Sequence, residues 1–180
     1  MKRLLVLLSI LVLASIVLTA CRPAPKYTCT DPLGCVEVKP GEPIHLAYAL
    51  VISGADETLG VDSRNGIEVA IALKGKLLGH DIKLTGEDDG CSAEGGQAAG
   101  TKLAADPTIV AVIGTSCSSA ARAAMPLISK AGMVMVSPSN TAPDLTEAGN
   151  PNNYPGYLRT AHNDKVQGAA AAKFAWEKLG

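Results

Sequence analysis

IVAVIGTSCSSAARAAMPLISKAGMVMVSPSNT, running from Ile109 to Thr141, decides the fold. Ile109–Gly114 and Met133–Val136 are apolar runs with β-branched residues, too short for helices, and read as buried strands. Between them Ala121, Ala124, Met125 and Ile128 fall at i, i+3, i+4 and i+7, one face of a helix. A strand–helix–strand unit of this kind predicts a parallel sheet with a right-handed crossover. Ligands of such sheets sit beyond the carboxyl ends of the strands. Those ends are Thr115–Ser119 and Ser137–Thr141, both rich in hydroxyls, and the first opens a helix whose free N–H groups favour a negative group. The two loops are therefore expected to form half of a site for a ligand carrying a carboxylate.

Outward from this unit the alternation repeats. Ile44–Ile52 reads as a strand ending in Ser53-Gly54-Ala55-Asp56. Val61–Leu78 reads as a helix with Ile67, Ala70, Ile71 and Leu78 along one face, Val69 and Leu73 widening it, and Gly79-His80 as its stop. Asp81–Glu87 alternates as a strand, and Asp88-Asp89-Gly90 reads as a solvated turn. Ser92–Ala105 is a second helix with Ser92 as N-cap, where Gly95, Gly96 and Gly100 permit close packing. Beyond the central unit come a Pro- and Asn-rich loop over 142–155 and a short strand at Tyr157–Thr160. A last helix follows, capped by Asn163 or Asp164, with Ala172, Ala175, Trp176 and Leu179 on one face. The fold class is α/β with a doubly wound parallel sheet. A helix in this layout is normally followed by a strand that it packs over, and none follows before Gly180, so the sequence reads as an incomplete chain.

The 180 residues suffice for one domain with a real core. The apolar share of 47% leans on Ala, Val, Ile and Leu, aromatics are 3%, and the net charge is −1 with no basic run, which argues against a nucleic-acid partner. Residues 1–20 have a charged start at Lys2 and Arg3 and an apolar run from Leu4 to Leu18, and read as a signal peptide. Leu18-Thr19-Ala20-Cys21 resembles the bacterial lipobox, which implies lipidation of Cys21 and a membrane-tethered, extracytoplasmic protein; an ordinary signal peptide or a single spanning helix are the alternatives. Residues 21–43 carry five prolines and no hydrophobic period, and read as a tether.

With Cys21 set aside, four of the five cysteines remain, with three pairings open. Cys29 and Cys35 flank turn signals, so local pairing is natural and leaves Cys91 with Cys117. Both of these lie past the carboxyl ends of predicted strands, and adjacent strands would bring them within reach. Closing that loop contributes roughly 3–4 kcal/mol in the chain-entropy model. Free thiols or a metal site are the alternatives; no CxxC is present, and His45, His80 and His162 are scattered, so neither a metal nor a cofactor is expected. Gly114-Thr-Ser116-Cys-Ser118 sits in the setting of a nucleophile elbow, but Ser118 replaces the second glycine and only His162 lies downstream for a triad, which argues against an enzyme. Asn140 reads as a turn former.

Three segments together carry a family resemblance: Gly86-Glu-Asp-Asp-Gly-Cys91, Ile113-Gly-Thr-Ser-Cys-Ser-Ser119 and Ser137-Pro-Ser-Asn-Thr-Ala-Pro-Asp-Leu-Thr146. From about Ile44 onward the chain resembles the leucine/isoleucine/valine-binding proteins, the type I periplasmic substrate-binding components of branched-chain amino acid ABC transporters. Tyr157-Leu-Arg-Thr160 with Asp164 and Gln167-Gly168 is similar to the family's segment entering the second lobe. The resemblance implies a two-lobed clamp, of which residues 44–160 form the ligand-binding first lobe and 161–180 the start of a second lobe that is largely missing. It further implies a monomer that binds a free amino acid and delivers it to an ABC permease. Ser118 and Thr141 would hold the ligand α-carboxylate, and Ser139 would meet it through its backbone. Leu59 falls where some members place a tyrosine beside the ligand side chain. A ligand-sensing receptor domain of the same fold is the alternative use, and high-affinity binding is expected to need the second lobe.

Overall fold

The computed structural model describes residues 27–180; the predicted signal peptide and Cys21 lie outside the described residues. Residues 31–180 form one compact unit. Its strands are β1 (Ile44–Leu50), β2 (Lys76–Leu77), β3 (His80–Asp88), β4 (Ile109–Gly114), β5 (Val134–Ser137) and β6 (Tyr157–Arg159). Its helices are α1 (Glu57–Lys74), α2 (Ala93–Ala104), α3 (Ser118–Lys130) and α4 (Asp164–Lys178). The strands lie in the order β2-β3-β1-β4-β5-β6. All neighbours pair in parallel except β2 and β3, which form an antiparallel hairpin.

The hairpin corrects the expected end of the first helix. Gly75, with φ 69°, takes the C-cap position, so α1 stops at Lys74 and Lys76-Leu77 turns back along β3. Leu78, with φ 53°, and Gly79 make the tight turn, which places Leu78 outside the helix and 88% exposed. At its other end α1 begins at Glu57, four residues before the expected start.

The core lies on one face of the sheet. Ala47, Ala49, Val112, Met133 and Met135 meet Ala99, Leu103, Ala121, Met125 and Ile128 from α2 and α3. The face expected of the central helix, and the core role expected of Met125, Met133 and Met135, are realised as read. Full burial of a side chain such as Met125 or Ile128 is worth about 1.5–3 kcal/mol. Glycine lets the two helices approach: a Cβ on Gly96 would lie 2.4 Å from the Ala120 carbonyl oxygen, and one on Gly100 would lie 3.0 Å from Ala124 Cα.

The apolar faces expected on the first and last helices are not buried. Gly60 is the buried residue of α1, and α4 has none. Leu73 and Trp176 stand in solvent. Helical periodicity marks a face suited to burial but does not supply a partner, and among the described residues no layer covers these two faces. At the amino edge of the sheet, residues 31–36 lie against the lobe. The Leu33 carbonyl sits where a Cβ on Gly132 would be, and its side chain abuts Gly156. A cavity of about 410 Å³ separates this segment from the starts of β4 and β5, at the edge opposite the hydroxyl-rich loops.

The α2–α3 contact yields a paired test by urea denaturation. G96V, which overpacks backbone against backbone, is expected to cost about 1–3 kcal/mol or more. G66A, in open space on α1, is expected to stabilise by about 0.5–1 kcal/mol.

Candidate functional site

Parallel pairing brings the loops after β1, β3, β4 and β5 to one carboxyl edge. β3 and β4 are not neighbours, since β1 lies between them. The adjacency expected for Cys91 and Cys117 is therefore corrected: their loops arch over the end of β1 and meet there. The disulfide itself is present, with Cα atoms 5.0 Å apart. Cys29 and Cys35 are also disulfide-bonded.

Beneath the disulfide lies Asp89, which is fully buried. Its carboxylate accepts from the Ser116 N–H at 2.6 Å and the Cys91 N–H at 2.8 Å. Its own N–H donates to the Leu50 carbonyl at 3.1 Å, and the Val51 N–H donates to Ser116 Oγ at 3.0 Å. Three chain segments thus close on one buried acid, which overturns the reading of Asp88-Asp89-Gly90 as a solvated turn. Asp88 differs from its neighbour. It is half-buried, and its carboxylate accepts from the Ile52 and Gly90 N–H groups and from the Ser53 hydroxyl. Burial pushes the Asp89 carboxyl up, against the pull of the Ser116 and Cys91 N–H groups. For Asp88 partial burial acts upward too, but the Ser53 hydroxyl and the N–H groups of Gly90 and Ile52 outweigh it and hold the carboxyl below its ordinary range.

The three residues expected to meet the ligand share this edge. Ser118 opens α3, and its Oγ accepts from the Ala142 N–H at 3.2 Å, which leaves the hydroxyl proton available to a ligand. Ser139 donates its hydroxyl to the Ser116 carbonyl at 2.8 Å and its N–H to Ser137 Oγ at 3.3 Å, so both groups brace the loop and its carbonyl is what remains for binding. Thr141 has its carbonyl engaged by the Asp164 N–H at 2.9 Å. Asn140 is no exposed turn former: it is 1% exposed, and its amide donates to Thr115 Oγ1 and to the Tyr157 hydroxyl. Burial pushes the Tyr157 phenol up, against the hydrogen bond from Asn140. Leu59 lies on the first turn of α1, half in solvent.

The start of α3 differs from those of α2 and α4. Its N-cap, Cys117, offers no side-chain hydrogen bond, and no acidic residue stands in its first turn. By contrast Ser92 caps α2 with Glu94 beside it, and Asn163 caps α4 with Asp164 beside it. An uncapped helix start presents N–H groups and the positive end of the macrodipole to an anion. Among the described residues no cluster of His, Cys, Asp or Glu could hold a metal ion, and no helix is long and apolar enough to cross a membrane.

Asp89, Ser116, Asn140 and Arg159 are the residues of this edge that sequence reading missed. Asp89 follows a second aspartate and precedes a glycine, the composition of an exposed turn, and nothing local signals its burial. The hydroxyls of Ser116 and Ser139 could be read as ligand groups or as braces, and only their partners decide.

Residues 43–180 match the model of one family, described as periplasmic binding protein, and the chain belongs to that family. It is 34% identical over 141 residues to the Leu/Ile/Val-binding protein of Escherichia coli K12, a match covering 77% of this chain and 37% of that protein. The fold is similar to that of a leucine-binding protein from Thermotoga maritima, with TM-score 0.69, 26% identity, and coverage of 76% of this chain and 38% of the other. It is also similar to an ABC transporter substrate-binding protein from Desulfitobacterium hafniense in complex with Leu, with TM-score 0.63, 28% identity, and coverage of 76% and 40%. The chain thus spans well under half the length of these relatives and corresponds to one lobe of their fold.

Replacing Asp89 with Ala strands the N–H groups of Ser116 and Cys91, an expected loss of about 1–3 kcal/mol. A carboxyl whose folded pKa is raised stabilises fully below its unfolded value, 3.8, and loses that contribution as pH rises through the folded value. The cost of D89A should therefore be larger near pH 4 than at pH 7, as read by urea denaturation at the two pH values.

Proposed function

We propose that this chain is the carboxylate-holding lobe of an extracytoplasmic solute-binding protein that captures a branched-chain or related amino acid for an ABC permease. In this reading residues 44–160 are the ligand-binding lobe, and 161–180 begin the segment that leads to a second. The N–H groups at the uncapped start of α3 receive the ligand α-carboxylate, with the Ser118 hydroxyl, the Ser139 backbone and Thr141 around it. The observation that carries this is the missing cap of α3 beside the Thr141 loop. Charge-assisted hydrogen bonds of this kind are roughly twice as strong as neutral ones. The chemistry is binding, with no catalysis and no cofactor, and it agrees with the names of the relatives. The same reading places lipid on Cys21 and tethers the lobe to a membrane surface through residues 21–43.

The test is a heteronuclear NMR titration of the chain with millimolar L-leucine. The amides of Ser118, Ser119, Ser139 and Thr141 are expected to shift, and T141A to weaken binding about tenfold or more. Shifts confined to the opposite edge, around Leu33 and Gly132, would remove the site from this loop. For the anchor, C21S should abolish incorporation of labelled palmitate during expression in a bacterium; unchanged incorporation would rule out Cys21 as the modified residue.

A further inference from the structure

The loop from Ser137 to Thr146 has its peptides turned in a fixed sequence, and one cation does much of the turning. Arg159, at the end of β6, donates from Nη1 to the carbonyls of Asn140 at 3.2 Å and Ala142 at 2.8 Å, and from Nη2 to the Thr146 hydroxyl. The carbonyl between those two, that of Thr141, points instead to the N–H of Asp164. In a trans peptide the C=O of one residue and the N–H of the next point in opposite directions. With the Asn140 carbonyl on Arg159, the Thr141 N–H must face away from Arg159. With the Thr141 carbonyl on α4, the Ala142 N–H must face away from α4, and it is found on Ser118 Oγ at the start of α3. Pro143 follows, so the Ala142 carbonyl is drawn to Arg159 with no N–H turned the other way.

We infer that Arg159 is the positioning residue of the carboxylate site, the group that turns the Thr141 peptide so that its N–H is presented to the ligand. This rests on the carboxylate reading above. The guanidinium suits the task because its planar fork can hold two carbonyls and a hydroxyl at once, which a lysine ammonium on a flexible stem does not reproduce. Its charge also acts. Among the described residues Arg159 has no carboxylate within ion-pair distance, whereas Arg122 spends its charge on a two-pronged pair with Asp144 at 2.7 and 2.8 Å. A half-buried cation bonded only to neutral oxygens leaves a positive potential one residue from Thr141, the sign a carboxylate requires.

The experiment compares the full chain with R159Q and R159K by amide NMR, first without ligand and then with L-leucine. Without ligand, R159Q should displace the Thr141 and Ala142 cross-peaks and leave those of Ala99 and Ala124 in place. R159K keeps the charge and loses the fork, and should displace the same two by less. With leucine, R159Q should weaken binding about tenfold or more, and R159K should recover part of the loss. Thr141 and Ala142 cross-peaks unmoved in R159Q, or equal leucine affinity in the two proteins, would overturn the proposal. If R159Q does not fold, an R159K spectrum identical to the wild type overturns it. A wild-type Thr141 amide that leucine does not perturb would overturn the carboxylate reading, while the ligand-free spectra still decide whether Arg159 orients the loop.

Discussion

The buried carboxylate of Asp89 is the contact on which the geometry of the carboxyl edge depends. Strands pair along their length, but their trailing loops have no ladder to hold them, and here the loops after β3 and β4 must cross the end of β1 to meet. Asp89 accepts from both loops, and Ser116 ties the second to Val51. A carboxylate so placed has no solvent to fall back on, so either N–H left unpaired would carry the full desolvation cost. The disulfide closes the same crossing covalently. Two constraints of different kinds therefore fix where α3 begins, and the start of α3 is where the anion-favouring N–H groups lie.

Hydroxyl side chains then divide their labour. Ser116, Ser137 and Ser139 spend their oxygens on backbone groups within the edge. Ser118 accepts from the Ala142 N–H and keeps a donor free. Arg159 and the Asp164 N–H engage the successive carbonyls of Asn140, Thr141 and Ala142. The result is an edge where these carbonyls are engaged while the Ser118 hydroxyl proton and the N–H groups of the uncapped α3 start remain. Below it lies the buried core of the described residues. α2 and α3 share a close, glycine-mediated contact over the sheet, while α1 and α4 keep apolar side chains such as Leu73, Phe174 and Trp176 in solvent.

Much of this was legible beforehand because its signals are local. The strand–helix alternation, the Ser92 cap and the buried stripe of α3 all follow from residue periodicity and capping chemistry. The end of α1 was misjudged because Gly75 and Gly79 offer the same stop four residues apart. Which of them ends the helix depends on a two-residue strand, Lys76-Leu77, that exists only by pairing with β3. Asp89 and Asn140 were misread for a related reason: Asp and Asn favour turns by their own chemistry, and burial is imposed on them by segments distant in sequence.

By itself the sequence determined the class of fold, the carboxyl edge to which the loops run, and the cysteines that close it, since periodicity and strand direction are properties of the chain alone. Only the tertiary structure decided which polar groups brace that edge and which are left for a ligand. A hydroxyl or carboxylate reads the same in sequence whether it is spent or free. Its role is set by the partner that folding places within 3 Å or so, and Asp89 meeting Ser116 across the end of β1 is a partnership no local pattern records.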